Sequence, residues 1–422
     1  FRYKMFGILG QNNPSISRLI ARRFISSRSG WQMVEVEQVD VLIVGAGPAG
    51  MSTALHLVKA DPSWASRVVV IDKAVHPREK LCGGGVTQLG EQVLTGLGLS
   101  FEPAHVPVRE IRLVFGRLAF ALHDEPVFRV VRRDEFDFWL VQRGQQQGIA
   151  VRLGEAVKAI TPQLDYIEIA TEQATFHAQA VVAADGSRSF IRRSLKWDNE
   201  ARLARLLEVL TPEQAERCFE FRDGVAVFDF SPMLAGLQGY YWDFPSLVKG
   251  QPFMNRGVFD SRAWSKGRRV PLPDTLRDSL ARRQRNLADY PLKGHPIHWF
   301  DPKADFARPR VLFVGDAAGV DPLLGEGISF ALAYGEVAAA TIIDAFARQQ
   351  FDFADYKVRI LTHAILSQLC MRAKLARLAY RFRSPWLVRA VWRLAPWLVR
   401  GLAWYNPAYV PVRQPRLVRV SD

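Results

Sequence analysis

Cysteine is scarce in this chain: three in 422 residues, Cys82, Cys218 and Cys370, with no CxxC and no paired spacing. That pattern speaks against a disulfide framework or a cysteine-ligated zinc site and fits a reducing compartment. The eight histidines are scattered and no HExxH occurs, so no metal centre is expected. Long apolar runs are also missing. No stretch of 18 or more residues is apolar and free of charge, which argues against a membrane-spanning helix. Acidic residues are nearly absent from both ends. Residues 1–34 hold six basic residues and no acid, and residues 357–422 hold thirteen basic residues and one acid, Asp422. The formal net charge of +14 therefore sits on the ends, around a mildly acidic body. A nucleic-acid enzyme more often carries such charge on its core, so surface-directed tails and no nucleic-acid partner are expected. Internal repeats and low-complexity segments are absent as well.

The two ends are read separately. Residues 1–34 are rich in Arg and Ser and are expected to be a leader or targeting segment without regular structure. Arg22-Arg23-Phe24-Ile25-Ser26-Ser27 has the look of a mitochondrial presequence cleavage region, and residues 1–32, if translated, would then direct the protein to mitochondria. The plainer reading is a disordered leader before Met33 on a cytoplasmic protein. At the other end, Trp386 to Trp404 carries Arg389, Arg393 and Arg400 at intervals of four and seven, on one helical face. Leu387, Val391, Leu394 and Leu398 fall opposite, with Trp386, Trp397 and Trp404 flanking the arginines. Basic residues beside tryptophans suit a helix lying in a membrane interface. Packing against the protein's own core is the competing reading. Arg372, Lys374, Arg377, Arg381 and Arg383 extend the basic excess and favour peripheral membrane contact.

Between the ends the pattern is α/β. Val39 to Val44 is a short apolar run ending in glycines, followed by a helical pattern from Ala49 to Lys59 and a second apolar run from Arg67 to Asp72. This is the βαβ start of a doubly wound parallel sheet. Strand-like alternation recurs at 108–121 and 126–131, a helix is predicted over 133–147, and Arg310 to Val314 reads as a returning buried strand before a long helix from Gly325 to Arg348. Residues 196–295 break the pattern with aromatic-rich strands and are expected to form an inserted, mixed-sheet substrate lobe. The dinucleotide domain is then discontinuous, 35–195 with 296–350, and 351–422 forms basic aromatic C-terminal helices.

Gly45-Ala-Gly47-Pro-Ala-Gly50 is a GxGxxG between a strand and a helix. The first glycine permits the tight turn, the second the approach of a diphosphate, and the third close helix–strand packing. Asp72 ends the second strand, where a carboxylate takes the adenosine ribose hydroxyls. This motif alone does not separate FAD from NAD. Two later segments resemble motifs of the aromatic hydroxylase-like flavoproteins: Ala184-Asp185-Gly186-Ser187, and Gly315-Asp316 within Phe313–Gly319. The resemblance implies a Rossmann-like FAD-binding domain, with Asp185 and Asp316 binding the cofactor, Asp316 at the ribityl chain. Arg133-x-x-Phe136-Asp137 is similar to that group's arginine-containing helix start near the flavin. Gly325 and Gly327 open the long helix, whose backbone N–H groups can meet the flavin pyrimidine edge or the diphosphate.

Lys80-Leu-Cys82-Gly83-Gly84-Gly85 and Tyr240-Tyr-Trp242-Asp-Phe244-Pro245 resemble the two signatures of the geranylgeranyl reductase family, flavoproteins that saturate isoprenoid double bonds. The resemblance spans roughly 38–350. It implies an FAD-dependent reductase of an isoprenoid or lipid-like substrate, with Cys82, Tyr240 and Trp242 as catalytic candidates. One departure stands out. Where that family usually has Gly-x-Gly, this chain has Asn255-Arg256-Gly257, which points to a different substrate from the standard prenyl lipids. A glycine run after Cys82 gives backbone a close approach to a flavin, and the aromatics can wall an apolar cavity. Only one GxGxxG is visible, so NAD(P)H or a protein must deliver electrons from outside. An aromatic monooxygenase using NAD(P)H and O₂ and a flavin-dependent halogenase are the competing enzymes. The halogenase signature Trp-x-Trp-x-Ile-Pro lacks its first Trp and its Ile here. A non-catalytic lipid-binding protein is the competitor from another class.

Overall fold

The computed structural model describes residues 20–27, 30–197, 202–264, 269–381 and 416–419, with Trp386, Ala390, Trp392 and Arg393 from the stretch between. Residues 1–19 of the expected leader, and all but those four residues of the expected C-terminal helix, lie outside the described residues.

Two sheets organise the chain. Residues 41–44, 68–71 and 311–313 are apolar without a polar alternation, so neither face can be turned to water. They lie inside a parallel sheet ordered Val311–Phe313, Thr175–Ala183, Gly30–Val44, Val68–Asp72, Ala150–Leu153, edged by the antiparallel strand Ala307–Arg308. Helices Pro48–Ala60 and Ile328–Arg348 pack tightly together. A Cβ on Gly335 would stand 2.5 Å from Ser52, whose hydroxyl donates to the Leu332 carbonyl at 2.7 Å. Ile328–Arg348 is long and apolar enough to cross a membrane by length and composition, and 67% of its apolar window is buried inside the fold.

The second sheet runs Lys293–His298, Leu203–Pro212, Gln251–Asp260, Gly239–Val248, Val225–Asp229, His105–Phe115, Leu118–Val131, Arg416–Arg419. Its boundaries differ from the lobe expected over 196–295. The hairpin at 105–131 belongs to it, through a parallel pairing of Val225–Asp229 with His105–Phe115. Alternation marks such strands in sequence, but a partner more than 100 residues away leaves no local signal. The short strand Gly85–Thr87 pairs with Leu118–Val131, which ties the Cys82–Gly85 run into this sheet while the glycine fingerprint belongs to the other.

The end segments differ from expectation where they are described. Ile20–Ser27 pairs antiparallel with Gly30–Glu37, within the supposed leader. The strand Gly30–Val44 projects beyond its neighbour Val68–Asp72, and the hairpin supplies partners for backbone groups that would otherwise be unpaired. In the C-terminal part, Arg372 is not a surface charge. Its Nη1 reaches Asp321 Oδ2 and Glu326 Oε2, each at 2.8 Å, and helix Gln368–Ala379 buries Leu369, Ala373 and Ala376.

Candidate active site

The glycine fingerprint divides by function. Gly45 has φ +115, and a Cβ there would lie 2.3 Å from the Ala184 carbonyl oxygen. A Cβ on Gly50 would lie 1.9 Å from the Gly45 carbonyl oxygen, so both positions are closed by backbone. Gly47 is different: its Cβ would meet only Arg78 Nη2, at 3.6 Å. Its open side faces the cavity. Asp72 ends its strand with Oδ2 accepting from Ala46 N at 2.8 Å and Oδ1 from Ala74 N at 2.9 Å. Burial works to raise its pKa, but the nearby His76 ring, 3.6 Å away, and bonds from Ala74 N and Ala46 N outweigh it and hold the carboxylate below its usual value. Each oxygen keeps a further lone pair for a ligand hydroxyl.

Beside Gly47 stand two arginines aimed by one acid. Asp137, fully buried, takes Arg133 in a bidentate pair and Arg78 Nη2 at 3.1 Å. Arg78 Nη1 is buried and makes no hydrogen bond within the protein. An open glycine loop at a helix N-terminus, next to a cation with an unspent donor, fits the diphosphate of a dinucleotide. Further along, Asp316 follows the sharp turn at Gly315, and Gly327 leaves its carboxylate room, with a Cβ there 3.6 Å from Oδ1. Gly325, at φ +73, packs on the Phe259 ring. These residues fit the flavin half of FAD. Asp185 does something else. Its Oδ2 accepts from Ile191 N at 3.0 Å, tying down the short helix Phe190–Ser194, while Oδ1 is buried without a partner. Burial raises its pKa.

The two reductase-like signatures meet in space. Gly83 lies against Phe244, where a Cβ would be 3.0 Å from the ring, and Gly84, at φ +82, passes within 2.1 Å of the Val131 carbonyl oxygen by the same measure. Trp242 Nε1 donates to Asn255 Oδ1 at 2.9 Å, and Asn255 Nδ2 donates to the Cys82 carbonyl at 2.9 Å. The Trp242 ring covers Gly257, where a Cβ would sit 2.3 Å from Cζ2. A side chain at 257 has no room beneath that ring, while Asn255, two residues earlier, supplies both hydrogen bonds. Tyr240 turns its hydroxyl onto the Leu324 carbonyl, and burial pushes its phenol well above the ordinary range. Its ring joins Phe228 at 5.1 Å and Phe259 at 5.5 Å between centroids.

These segments surround one cavity of about 890 Å³. Of the residues selected from sequence, Gly50 alone stands behind its wall; Gly45, Gly47, Asp72, Cys82, Arg133, Asp185, Tyr240, Trp242, Asp316, Gly325 and Gly327 line it. Sequence reasoning passed over Arg78, Lys80, His295 and Arg372, which line it too. Lys80 was legible as part of the Cys82 signature; the others carry no local pattern. Lys80 Nζ contacts His295 Nε2, which also lies 3.2 Å from Ser187 Oγ. Burial and then Lys80 push His295 down to about 4, and burial lowers Lys80 against the attraction of Asp316. Glu208, missed as well, is buried on the strand that pairs with Gln251–Asp260, on the same face as Asn255.

Residues 38–246 match the model of the FAD binding domain. The menaquinone reductase of Mycobacterium tuberculosis is 30% identical over 335 residues, covering 72% of this chain and 76% of that protein. The digeranylgeranylglycerophospholipid reductase 2 of Methanosphaera stadtmanae is 26% identical, over 73% of this chain and 78% of its own. Among solved structures, the geranylgeranyl bacteriochlorophyll reductase-like protein of Thermoplasma acidophilum superposes with TM-score 0.64 at 20% identity, covering 83% of this chain and 92% of that one. Halogenase PltM shares the fold to the same degree, TM-score 0.65 at 16% identity over 86% and 80%. A glycine cradle, an aimed pair of arginines and an aromatic wall around one cavity are thus found in a chain that belongs to the geranylgeranyl reductase family of FAD-dependent oxidoreductases.

Proposed function

We propose that this protein reduces carbon–carbon double bonds of an isoprenoid or similarly apolar chain bound in the 890 Å³ cavity. The observation that carries the proposal is the contact of the Cys82–Gly85 run with the aromatic wall of Trp242 and Phe244, in the cavity that also holds the glycine fingerprint. FAD held here, once reduced by the electron donor, would supply the hydride for such a reduction. The chain's own residues bind and orient. Gly45, Gly47, Asp72 and Arg78 hold the adenosine and diphosphate end; Arg133, Asp316, Gly325 and Gly327 hold the flavin end. Asp185 supports them by fixing the segment after its strand. Trp242, Phe244 and the Tyr240 ring exclude water from the apolar chain. Cys82, beside them, is the nearest thiol able to give a proton to the second carbon. Tyr240, whose hydroxyl is engaged with Leu324, serves as wall and as support for the Gly325 turn.

The electron donor is NAD(P)H docking transiently or a partner protein, and the basic C-terminal segment brings the protein to the surface of a membrane from the cytoplasmic side. The test is anaerobic: photoreduce the holoprotein, then add a prenyl lipid. Prompt return of the oxidised flavin spectrum, with a saturated product, is expected. NADPH oxidation with oxygen uptake and a hydroxylated product would overturn the proposal in favour of a monooxygenase. Halide-dependent product formation would do so in favour of a halogenase.

A further inference from the structure

Asn255 occupies the place where its family's pattern carries the first glycine of Gly-x-Gly, and every polar atom of its side chain is used. Its Oδ1 accepts from Trp242 Nε1, and its amide Nδ2 donates to the Cys82 carbonyl. The indole can only donate, so the orientation of the amide is fixed. Asn255 and Glu208 lie on adjacent strands, Asn255 opposite Leu210 and Glu208 opposite Gly257, which places both on one face of the second sheet. The Cys82 peptide lies against that face. Its carbonyl is held by Asn255. Asn255 and Glu208 are 1% and 2% exposed, so water does not compete for these bonds.

We propose that Asn255 is a positioning residue that locks the Cys82 loop to the Trp242 wall, so that the two signature segments present the substrate as one rigid unit. The consequence is specificity: an apolar chain must fit a fixed gap between Cys82 and Trp242, where a glycine at 255 would leave the loop free to move. This inference rests on the proposed reaction for its meaning, but its geometry can be tested without any substrate.

The experiment is alkylation of the protein by iodoacetamide, with Cys82 and Cys370 read separately by peptide mass spectrometry. Asn255→Gly, the family's own residue, is expected to raise the Cys82 rate about tenfold, as the loss of one net buried hydrogen bond would, with Cys370 unchanged. Asn255→Ser, which keeps a single polar group, should give a smaller rise and guards against a folding failure of the first variant. In steady state with a prenyl lipid, Asn255→Gly should raise KM for the shortest and longest chains less than for the preferred one, flattening chain-length selectivity. An unchanged ratio of Cys82 to Cys370 alkylation in both variants overturns the inference. Failure to reduce any prenyl lipid would overturn the proposed reaction and leave the alkylation result standing.

Discussion

Asp137 grips Arg133 from one turn further along the same helix, with Nε to Oδ1 at 2.7 Å and Nη2 to Oδ2 at 2.8 Å. The same carboxylate holds Arg78 Nη2 at 3.1 Å, so one buried acid restrains two cations at the edge of the cavity. Burial works against the charge on Arg133, but Asp137 more than compensates, and Arg133 stays protonated. The trio carries a net positive charge beside Gly47.

Breaking this arrangement should be costly in two ways. Asp137→Asn leaves two guanidinium groups short of their anion, which is expected to destabilise the protein by about 3–5 kcal/mol. FAD affinity should fall as well, because the arginines lose their aim. Arg78→Met is the milder change: little loss in urea stability is expected, with FAD binding weakened about tenfold, in line with one lost charged hydrogen bond. FAD titration followed by flavin fluorescence, beside urea denaturation of the apoprotein, reads both. Undiminished FAD affinity in Arg78→Met would remove this residue from the site.

The fingerprint glycines make a sharper contrast. Gly47 has φ −78 and open space, so Gly47→Ala should leave the apoprotein's Tm unchanged and weaken FAD binding by at least an order of magnitude. Gly50→Ala forces a Cβ onto the Gly45 carbonyl and should cost roughly 1–3 kcal/mol or more before any ligand is added. If both variants unfolded equally, Gly47 would be a packing position and not part of a cradle.

This contrast shows how far the sequence could be read. The GxGxxG spacing is local, since strand, turn and helix follow one another, and so it puts Gly45, Gly47 and Gly50 at the turn between them. Cys82 and Trp242 are recognisable as separate signatures, but their contact depends on the register of two sheets. Asn255 stands out in sequence as a departure and acquires a role only once it is seen between Trp242 and Cys82. Arg372 misleads in sequence. It reads as one charge of a basic tail, yet it is neutralised by Asp321 and Glu326 beside the Gly325 turn. Periodicity reports which face a residue takes and not which distant acid that face will meet.

Glu208 gives a pH dependence of definite sign. Burial pushes its pKa up to about 7, and the charge of Arg132, helped by the neighbouring Cys82 N–H and Asn255 amide, only partly opposes this. Glu79, itself paired with Lys293, adds a repelling charge. The folded state therefore holds a proton that the unfolded chain, near its ordinary carboxylate value, has given up. Stability from this group is intact below about pH 4.5 and declines as the pH rises towards 7. The whole change is about 3 kcal/mol. Glu208→Gln removes it. Urea denaturation at pH 5 and pH 8 should show the variant gaining on the wild type by that order across the interval. A constant difference between the two proteins would show that Glu208 does not titrate there.

The C-terminal segment needs a test that separates membrane contact from packing. Trp392 stacks on Phe115 with ring centroids 5.3 Å apart and planes 2° from parallel, and lies 4.9 Å from Phe230, which in turn touches Tyr240 at the cavity wall. Trp386, by contrast, is 71% exposed, and Arg393 is exposed beside Trp392. Deleting 384–422 would therefore strip a ring from the second sheet as well as remove charge, and lost vesicle binding would then have two causes. Neutralising only Arg389, Arg393 and Arg400 to Gln leaves Trp392 in place. At about 1 kcal/mol for each basic residue near an anionic surface, the triple variant should bind anionic vesicles about a hundredfold more weakly in flotation. The loss should shrink as salt is raised and screening removes the same attraction from the wild type. Equal flotation of wild type and variant at low salt would mean that the arginines serve some purpose other than holding the protein to a membrane.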